Sequence, residues 1–214
     1  MTVLIIGGAA SGKSAYAENL LCRLSGGAPK IYIATMEPYG AEAAARIAKH
    51  RQARQGRGFH TVERFTDLAG LRVPAGSALL LEDLGNLCAN ESYSPAGSGA
   101  DAEASILRGV ERLREQCAHA VIVSNEIFCG GTAYQDDTPS YLRLLARLHR
   151  RIAQESDGVC EVVCGIPLYY KGGRFFENSE PGGRGTNPER GNGGVFDVLR
   201  RPRAANKLEC ADDA

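Results

Sequence analysis

A glycine-rich segment near the N-terminus constrains the fold more than any other feature of this chain. Residues 7–14 read Gly-Gly-Ala-Ala-Ser-Gly-Lys-Ser and satisfy the pattern G-x-x-x-x-G-K-[ST] without a mismatch. The segment follows the apolar run 3–6, which predicts a buried strand, and precedes residues 14–24, whose apolar spacing predicts a helix. In that position backbone N–H groups and the helix N-terminus can face phosphate oxygens together. The segment therefore predicts a nucleoside triphosphate-binding loop, or P-loop.

The P-loop and one strand end supply the candidate residues for phosphate and metal. Lys13 would neutralise charge on the β- and γ-phosphates, and Ser14 would ligate Mg²⁺. A second metal-side group is expected from a neighbouring strand, and only the apolar strand 79–81 ends in acids, Glu82 and Asp83. Either acid fits that role, and the alternative is a solvated strand end. The loop residues expected to bind nucleotide are Gly7, Gly8, Ala9, Ala10, Ser11, Gly12, Lys13 and Ser14.

Short apolar runs alternate with helical patterns over most of the chain. This alternation predicts an α/β fold of the P-loop type, with a mostly parallel central sheet and helices on both faces. Asn125 and Glu126 end one of the strands and are a weaker ligand-site candidate, because ligands collect at the carboxyl ends of parallel strands. Residues 90–100, rich in Ser, Gly and Pro, predict a surface loop. The predicted strands are 3–6, 31–34, 78–81, 120–123 and 161–163, and the predicted helices are 14–24, 41–54, 101–117 and one from Thr138 to Ile152.

Charge and composition exclude several classes of protein. Lys and Arg number 25 and so do Asp and Glu, so we expect no nucleic acid as a partner. No apolar run approaches the roughly 20 residues of a membrane span, and the N-terminus lacks a secretory pattern. The seven scattered cysteines match no zinc or redox spacing, which favours reduced thiols and a cytoplasmic location. We expect residues 1–171 to form one nucleotide-binding catalytic domain and the Gly/Pro-rich residues 172–214 to form a flexible tail.

A histidine lies in a basic helix, and its pattern has two interpretations. Arg46, His50 and Arg54 are spaced four residues apart and share one helical face. A neutral imidazole among such charges could attack an α-phosphate and form a phosphoramidate. The alternative is an ordinary solvated surface histidine, and the spacing alone favours that alternative.

Several segments together resemble the adenosylcobinamide kinase / adenosylcobinamide-phosphate guanylyltransferase family of cobalamin biosynthesis. The P-loop is close to the family's G-G-A-R-S-G-K-S, and residues 32–35 resemble its Y-I-A-T strand. Residues 46–54 resemble R-I-x-x-H-R-x-x-R, and residues 61–63 resemble T-V-E. Residues 80–82 and 123–127 resemble the L-L-E and V-[ST]-N-E-V segments. The order and spacing hold across residues 1 to about 171.

The resemblance implies a RecA-like P-loop fold and two activities on one corrinoid. ATP or GTP, with Mg²⁺, would phosphorylate a hydroxyl of adenosylcobinamide, and GTP would then give its guanylyl group to that phosphate. The family's GMP-carrying histidine falls on His50, so the resemblance favours the catalytic interpretation of this residue. Family members assemble as trimers or related homo-oligomers. Further nucleotide-binding positions implied by the resemblance are Ala34, Thr35, Met36, Arg51, Gln52, Ala53, Arg54, Glu63 and Glu82.

Departures from the family pattern leave two alternatives open. The P-loop arginine is Ala10, and Asp83 stands where the family has cysteine. The paired threonines that follow are lost, although Asn90 is kept, and the motifs after Glu126 differ throughout. One alternative is a P-loop small-molecule kinase that has lost the guanylyltransferase step. The other is a nucleotide-dependent switch or assembly module without turnover.

Overall fold

A computed structural model describes residues 1–128 and 138–173, with the backbone alone for Glu42, Arg46, Lys49 and Ala53. The five helices and two short 3₁₀ turns in this part of the chain alternate with seven strands. The strands are β1 (Thr2–Gly7), β2 (Lys30–Ala34), β3 (Phe59–Glu63), β4 (Ala78–Glu82), β5 (His119–Asn125), β6 (Gly158–Val163) and β7 (Ile166–Lys171). The helices are α1 (Lys13–Leu24), α2 (Gly40–Ala53), α3 (Leu84–Tyr93), α4 (Ala102–Gln116) and α5 (Thr138–Glu155), and the 3₁₀ turns are Leu68–Gly70 and Gly99–Asp101.

The seven strands form one sheet in the order β3-β2-β4-β5-β1-β6-β7. Six of them run parallel, and β7 pairs antiparallel with β6 at one edge. The P-loop strand β1 pairs with β5, and β5 in turn pairs with β4, so one strand separates β1 from the strand that ends in Glu82. The predicted α/β fold with a mostly parallel sheet is confirmed.

Helices cover both faces of the sheet, which explains the uniformly apolar strands. On one face, α1 packs Ala17, Leu20 and Leu21 against side chains of β1, β2, β4, β5 and β6. On the other face, α3, α4 and α5 pack against alternate residues of the central strands. Leu79 and Leu80 are neighbours in β4 that point to opposite faces, and both are buried. A strand buried on both faces carries no polar alternation, as the sequence predicted.

The predicted loop at residues 90–100 is wrong at its start, because α3 continues to Tyr93. The carboxylate of Asp83 caps this helix by accepting a hydrogen bond of 2.6 Å from the N–H of Asn86. The buried Glu91 then holds the following turn through hydrogen bonds from the N–H and the hydroxyl of Ser98. The sequence also gave no sign of β3 or β7 as strands.

Three further expectations concern the ends and chemistry of the chain. Residues 174–214, which make up nearly all of the predicted tail, lie outside the described residues. The five cysteines in the described part are free thiols. Among the described helices, none is both long and apolar enough to cross a membrane.

Candidate functional site

The P-loop connects β1 to α1 in the way that the sequence predicted. Gly12 precedes α1 with a φ of +91°, a conformation that favours glycine, and the adjacent Lys13 begins the helix. Lys13 is buried, and its Nζ donates a hydrogen bond of 3.1 Å to the carbonyl oxygen of Gly8. Ala10 also has a positive φ, +56°, and it is exposed. The ammonium group of Lys13 therefore lies inside the loop, where phosphate charge would be neutralised.

The turn between β6 and β7 supports the P-loop from the side. Gly165 donates its N–H to the carbonyl oxygen of Ser11 at 2.8 Å. A Cβ on Gly12 would lie 3.2 Å from the Cα of Gly165, and a Cβ on Gly7 would lie 2.8 Å from the carbonyl oxygen of Val162. Close approach therefore favours glycine at both positions, and at Gly12 the positive φ favours it as well. Sequence reasoning missed this turn, whose only local signal is the dipeptide Cys164-Gly165, both residues having positive φ.

Ser14 and Glu82 meet beside Lys13. The hydroxyl of Ser14 donates a hydrogen bond of 2.5 Å to Oε1 of Glu82. The second oxygen, Oε2, is buried and has no hydrogen-bond partner among the described residues. Burial raises the pKa of Glu82 to about 7 and the charge of Asp83 adds to this, while the Ser14 hydrogen bond and Lys13 lower it. A buried carboxylate with a spare oxygen is ready to accept a cation.

These oxygen donors fit Mg²⁺. The ion prefers hard oxygen ligands and commonly takes only one or two from the protein, with phosphate and water completing its shell. Ser14 and Glu82 offer a hydroxyl and a carboxylate of that kind. In the described residues no group of three or more His, Cys, Asp and Glu side chains could hold a metal by itself.

Asp83, the other candidate acid, points to different partners. Besides capping α3, its carboxylate accepts hydrogen bonds from the side-chain amides of Asn86 at 3.1 Å and Asn125 at 3.2 Å. Burial raises the pKa of Asp83, against the lowering effect of the Asn86 hydrogen bond and of Lys13. Asn125 is thus brought to the carboxyl end of β4, as its strand-end position suggested. Glu126 instead accepts the N–H of Phe128 on the surface.

The predicted nucleotide-binding residues after β2 differ in exposure. Thr35 is fully buried. Its hydroxyl accepts a hydrogen bond from the N–H of Asp83 and donates one to the carbonyl oxygen of Asp83. Asn90 donates its side-chain amide to the carbonyl oxygen of Thr35 at 2.8 Å. Ala34 and Met36 are half-buried on either side. Thr35 and Asn90 therefore fix the ends of β2 and β4 together.

The residues predicted on α2 fall into two kinds of environment. His50 is half-buried on the helix, while Arg51 and Gln52 are exposed, and Arg51 forms an ion pair with Glu63 at the end of β3. Arg54, directly after α2, is only 6% exposed, and its guanidinium carbon lies 3.4 Å from the centre of the Tyr32 ring. Two of its nitrogens, Nε and Nη1, have no hydrogen-bond partner in the described part of the chain. Ala53 is described by its backbone alone.

A second arginine ties the same end of α2 to the P-loop helix. Arg57 donates from Nη1 to Oε2 of Glu18 at 2.6 Å and from Nη2 to Oδ1 of Asn19 at 2.5 Å. Glu18 lies on α1, is 3% exposed, and is one helical turn beyond Ser14. Sequence reasoning missed this contact, because the two residues are 39 positions apart and neither belongs to a motif.

Comparisons with known proteins identify the family that this chain resembles. The chain matches the family model described as cobinamide kinase / cobinamide phosphate guanyltransferase over residues 3–170. The bifunctional adenosylcobalamin biosynthesis protein CobP of Pseudomonas aeruginosa is 33% identical over 175 residues, 80% of this chain and 98% of that protein. Its counterpart CobU of Salmonella typhimurium is 31% identical over 186 residues, 80% of this chain and all of that protein. The solved ATPase domain of G40P aligns at a TM-score of 0.43 with 11% identity, over 75% of this chain and 68% of that one.

The family match spans most of the chain, and both relatives are covered along nearly their whole length. The resemblance seen in the P-loop, the helix of His50 and the strand ends is thereby confirmed. The chain belongs to the cobinamide kinase / cobinamide phosphate guanyltransferase family.

Proposed function

We propose that this protein phosphorylates a hydroxyl of adenosylcobinamide and then transfers GMP from GTP to the resulting phosphate. The product would be adenosylcobinamide-GDP, with pyrophosphate released. The observation that carries the proposal is that one chain of this family holds both the cluster of Lys13, Ser14 and Glu82 and the histidine of α2. The relatives are named bifunctional biosynthesis proteins, which agrees with two steps.

The phosphoryl step needs mainly positioning and charge neutralisation. Lys13 and the backbone N–H groups of residues 7–14 would bind the β- and γ-phosphates of ATP or GTP as charge shifts toward the leaving oxygen. Ser14 and Glu82 would hold Mg²⁺, which when bound supplies further neutralisation of phosphate charge. The corrinoid hydroxyl attacks the γ-phosphorus, the bond to the β–γ bridging oxygen breaks, and the hydroxyl proton leaves to solvent.

The guanylyl step would proceed through His50 by two displacements. A ring nitrogen of neutral His50 attacks the α-phosphorus of GTP, a P–N bond forms, and the bond to the bridging oxygen breaks to release pyrophosphate. An oxygen of adenosylcobinamide phosphate then attacks the same phosphorus and the P–N bond breaks. The electron pair returns to the imidazole, so the histidine is regenerated. Arg51, Arg54 and Glu63 would contact the nucleotide around this residue.

Two further properties belong to the proposal. We infer a cytoplasmic protein, since the described cysteines are free thiols of the kind a reducing compartment maintains. We also infer a homo-oligomer, a trimer by family resemblance, that binds a corrinoid small molecule and no nucleic acid.

Intact-mass spectrometry after incubation with GTP and Mg²⁺ tests the proposal. Wild type should gain the mass of one GMP, and His50→Ala should gain none. His60→Ala is the matched control, because His60 is an exposed histidine on the neighbouring β3, and it should be labelled like wild type. If wild type phosphorylates adenosylcobinamide but forms no GMP adduct, the protein is a kinase that lacks the guanylyltransferase step. If the protein binds nucleotide but forms neither the GMP adduct nor phosphorylated adenosylcobinamide, the result supports the nucleotide-dependent switch or assembly module.

A further inference from the structure

We infer that the ion pair between Glu18 and Arg57 positions His50 for guanylyl transfer, by fixing the carboxyl-terminal end of α2 to the P-loop helix. This inference rests on the proposed function, because it concerns the step assigned to His50. It assigns Glu18 and Arg57 as positioning residues, since neither is placed at the reacting atoms.

The pair is built to hold one geometry. Arg57 binds two neighbouring residues of α1 at once, the carboxylate of Glu18 at 2.6 Å and the side-chain oxygen of Asn19 at 2.5 Å. A planar guanidinium that uses both Nη groups fixes direction as well as distance. The Arg57 guanidinium also lies 5.9 Å from the centre of the Phe59 ring, at the start of β3. The segment after α2 is thus tied to α1 and held against β3.

The same end of α2 has a second contact that fixes its height above the sheet. Arg54 stacks on Tyr32 of β2, and Tyr32 in turn meets Phe59 edge to face at 6.3 Å. His50 precedes Arg54 by four residues, which is about one helical turn or 5.4 Å. A displacement of this end of α2 would therefore displace the imidazole of His50 as well.

The anchor reaches the nucleotide site through α1. Glu18 lies four residues after Ser14, so it shares a face of α1 with the hydroxyl that meets Glu82. The P-loop, which would bind the nucleotide, and the end of α2, which carries His50, are consequently both attached to α1.

A purely structural role makes a different prediction. Breaking a buried ion pair by removing one charge destabilises a protein, because the remaining charge loses its partner. If the pair served stability alone, the phosphoryl and guanylyl steps would fall together. If it positions His50, the guanylyl step should fall while the phosphoryl step, carried by Lys13, Ser14 and Glu82, is kept.

The experiment compares Glu18→Gln, Arg57→Gln and the double variant with wild type. Adduct formation with GTP is followed by quenched-flow mass spectrometry, and phosphorylation of adenosylcobinamide is followed separately. We expect each single variant to form the GMP adduct roughly 10–100-fold more slowly, the loss typical of a misplaced reacting group. Phosphorylation should stay within about twofold, and the double variant should lose little more than either single variant.

Two controls keep the outcome decisive. Glu103→Gln removes the carboxylate of another ion pair, bonded to Arg147 at 2.7 Å, and should change neither step. Asn19→Ala removes the second acceptor of Arg57 without burying a lone charge, so it should slow adduct formation even if Glu18→Gln does not fold. Equal losses in both steps, or unchanged adduct formation in Asn19→Ala and the folded Glu18 variant, would overturn the inference. No adduct in wild type would instead refute the proposed function itself.

Discussion

The hydroxyl of Ser14, at the start of α1, donates a hydrogen bond of 2.5 Å to Oε1 of Glu82, although the preceding strand β1 and the strand β4 of Glu82 are not neighbours in the sheet. Strand β5 lies between β1 and β4, and the contact spans 68 positions of sequence. Helix α1 contacts both β5 and β4, and its residue Ser14 meets the end of β4. The acid that the sequence predicted near Ser14 thus comes from the second strand away from β1.

Replacing Glu82 by glutamine should weaken nucleotide binding in a Mg²⁺-dependent way. The amide keeps the shape and an acceptor for Ser14 but removes the charge that attracts the cation. We expect GTP to bind roughly 10–100-fold more weakly in the presence of Mg²⁺, which corresponds to the loss of one interaction with a charged group. In EDTA the affinity for GTP should be unchanged. Titration calorimetry under both conditions measures this, with Glu155→Gln as a control from the Arg114 ion pair. Equal weakening in EDTA would contradict the assignment.

Removing the Lys13 ammonium should abolish most of the phosphoryl transfer. Lys13→Ala should lower kcat by roughly 10²–10³-fold, as expected for a group that stabilises transition-state charge. Its melting temperature should change little, because the one described hydrogen bond of Nζ is to the carbonyl oxygen of Gly8 inside the loop. Lys171→Ala, which loses hydrogen bonds to Ala153 and Gln154 at the other end of the sheet, is the control. A kcat within tenfold of wild type would argue against this role.

The turn at Gly165 should control nucleotide affinity through the P-loop. Gly165 has a φ of +80°, so alanine is strained there by about 1 kcal/mol while asparagine tolerates the conformation better. Gly165→Ala should therefore weaken GTP binding several-fold, and Gly165→Asn should weaken it less. Proline should be worst, because it also removes the N–H that Ser11 accepts. Fluorescence titration with a labelled nucleotide gives the order, and equal affinities in all three would refute the coupling.

The buried His149 should make the fold sensitive to mild acid. Its ring is bonded to Ser124 at 2.6 Å, and burial lowers its pKa from 6.5 to about 4. The unfolded chain then binds a proton more readily than the folded one, so stability is lost as pH falls from about 6.5 to 4, by up to about 3 kcal/mol. Urea unfolding between pH 7.5 and 4.5 should show a steeper loss for wild type than for His149→Gln.

Burial of Glu82 has the opposite effect on the pH dependence of stability. Its pKa is raised from 4.5 to about 7 in the folded protein, so the folded state loses stability as pH rises from about 4.5 to 7. This contribution is present in both proteins and cancels in their difference. Parallel pH profiles for wild type and His149→Gln would show that the histidine is not the titrating group.

Local patterns predicted the parts of the site that are close in sequence. The P-loop, Lys13 and Ser14 follow from one segment of eight residues, and Glu82 follows from acids at the end of an apolar run. Asp83 illustrates a limit: two adjacent acids look equivalent in sequence, yet one meets Ser14 and the other caps α3. The difference depends on which face of the strand end each side chain leaves, and composition does not encode it.

Long-range contacts account for what the sequence did not reveal. The position of β5 between β1 and β4 depends on the order of strands, which no local pattern specifies. Arg57 carries no motif, and its importance becomes visible only when α1 and the end of α2 are side by side. The strand β7 has large apolar residues exposed on both faces, so it lacks the buried or alternating pattern that predicts strands.

The turn between β6 and β7 sets the shortest length at which the nucleotide site is complete. A fragment ending at residue 157 would retain the P-loop, His50, Glu82 and Asn125, and every family motif with them. It would nevertheless leave the carbonyl oxygen of Ser11 without its donor and expose the flank of β1. Deletion series and domain fusions should therefore treat residues 158–171 as part of the catalytic unit.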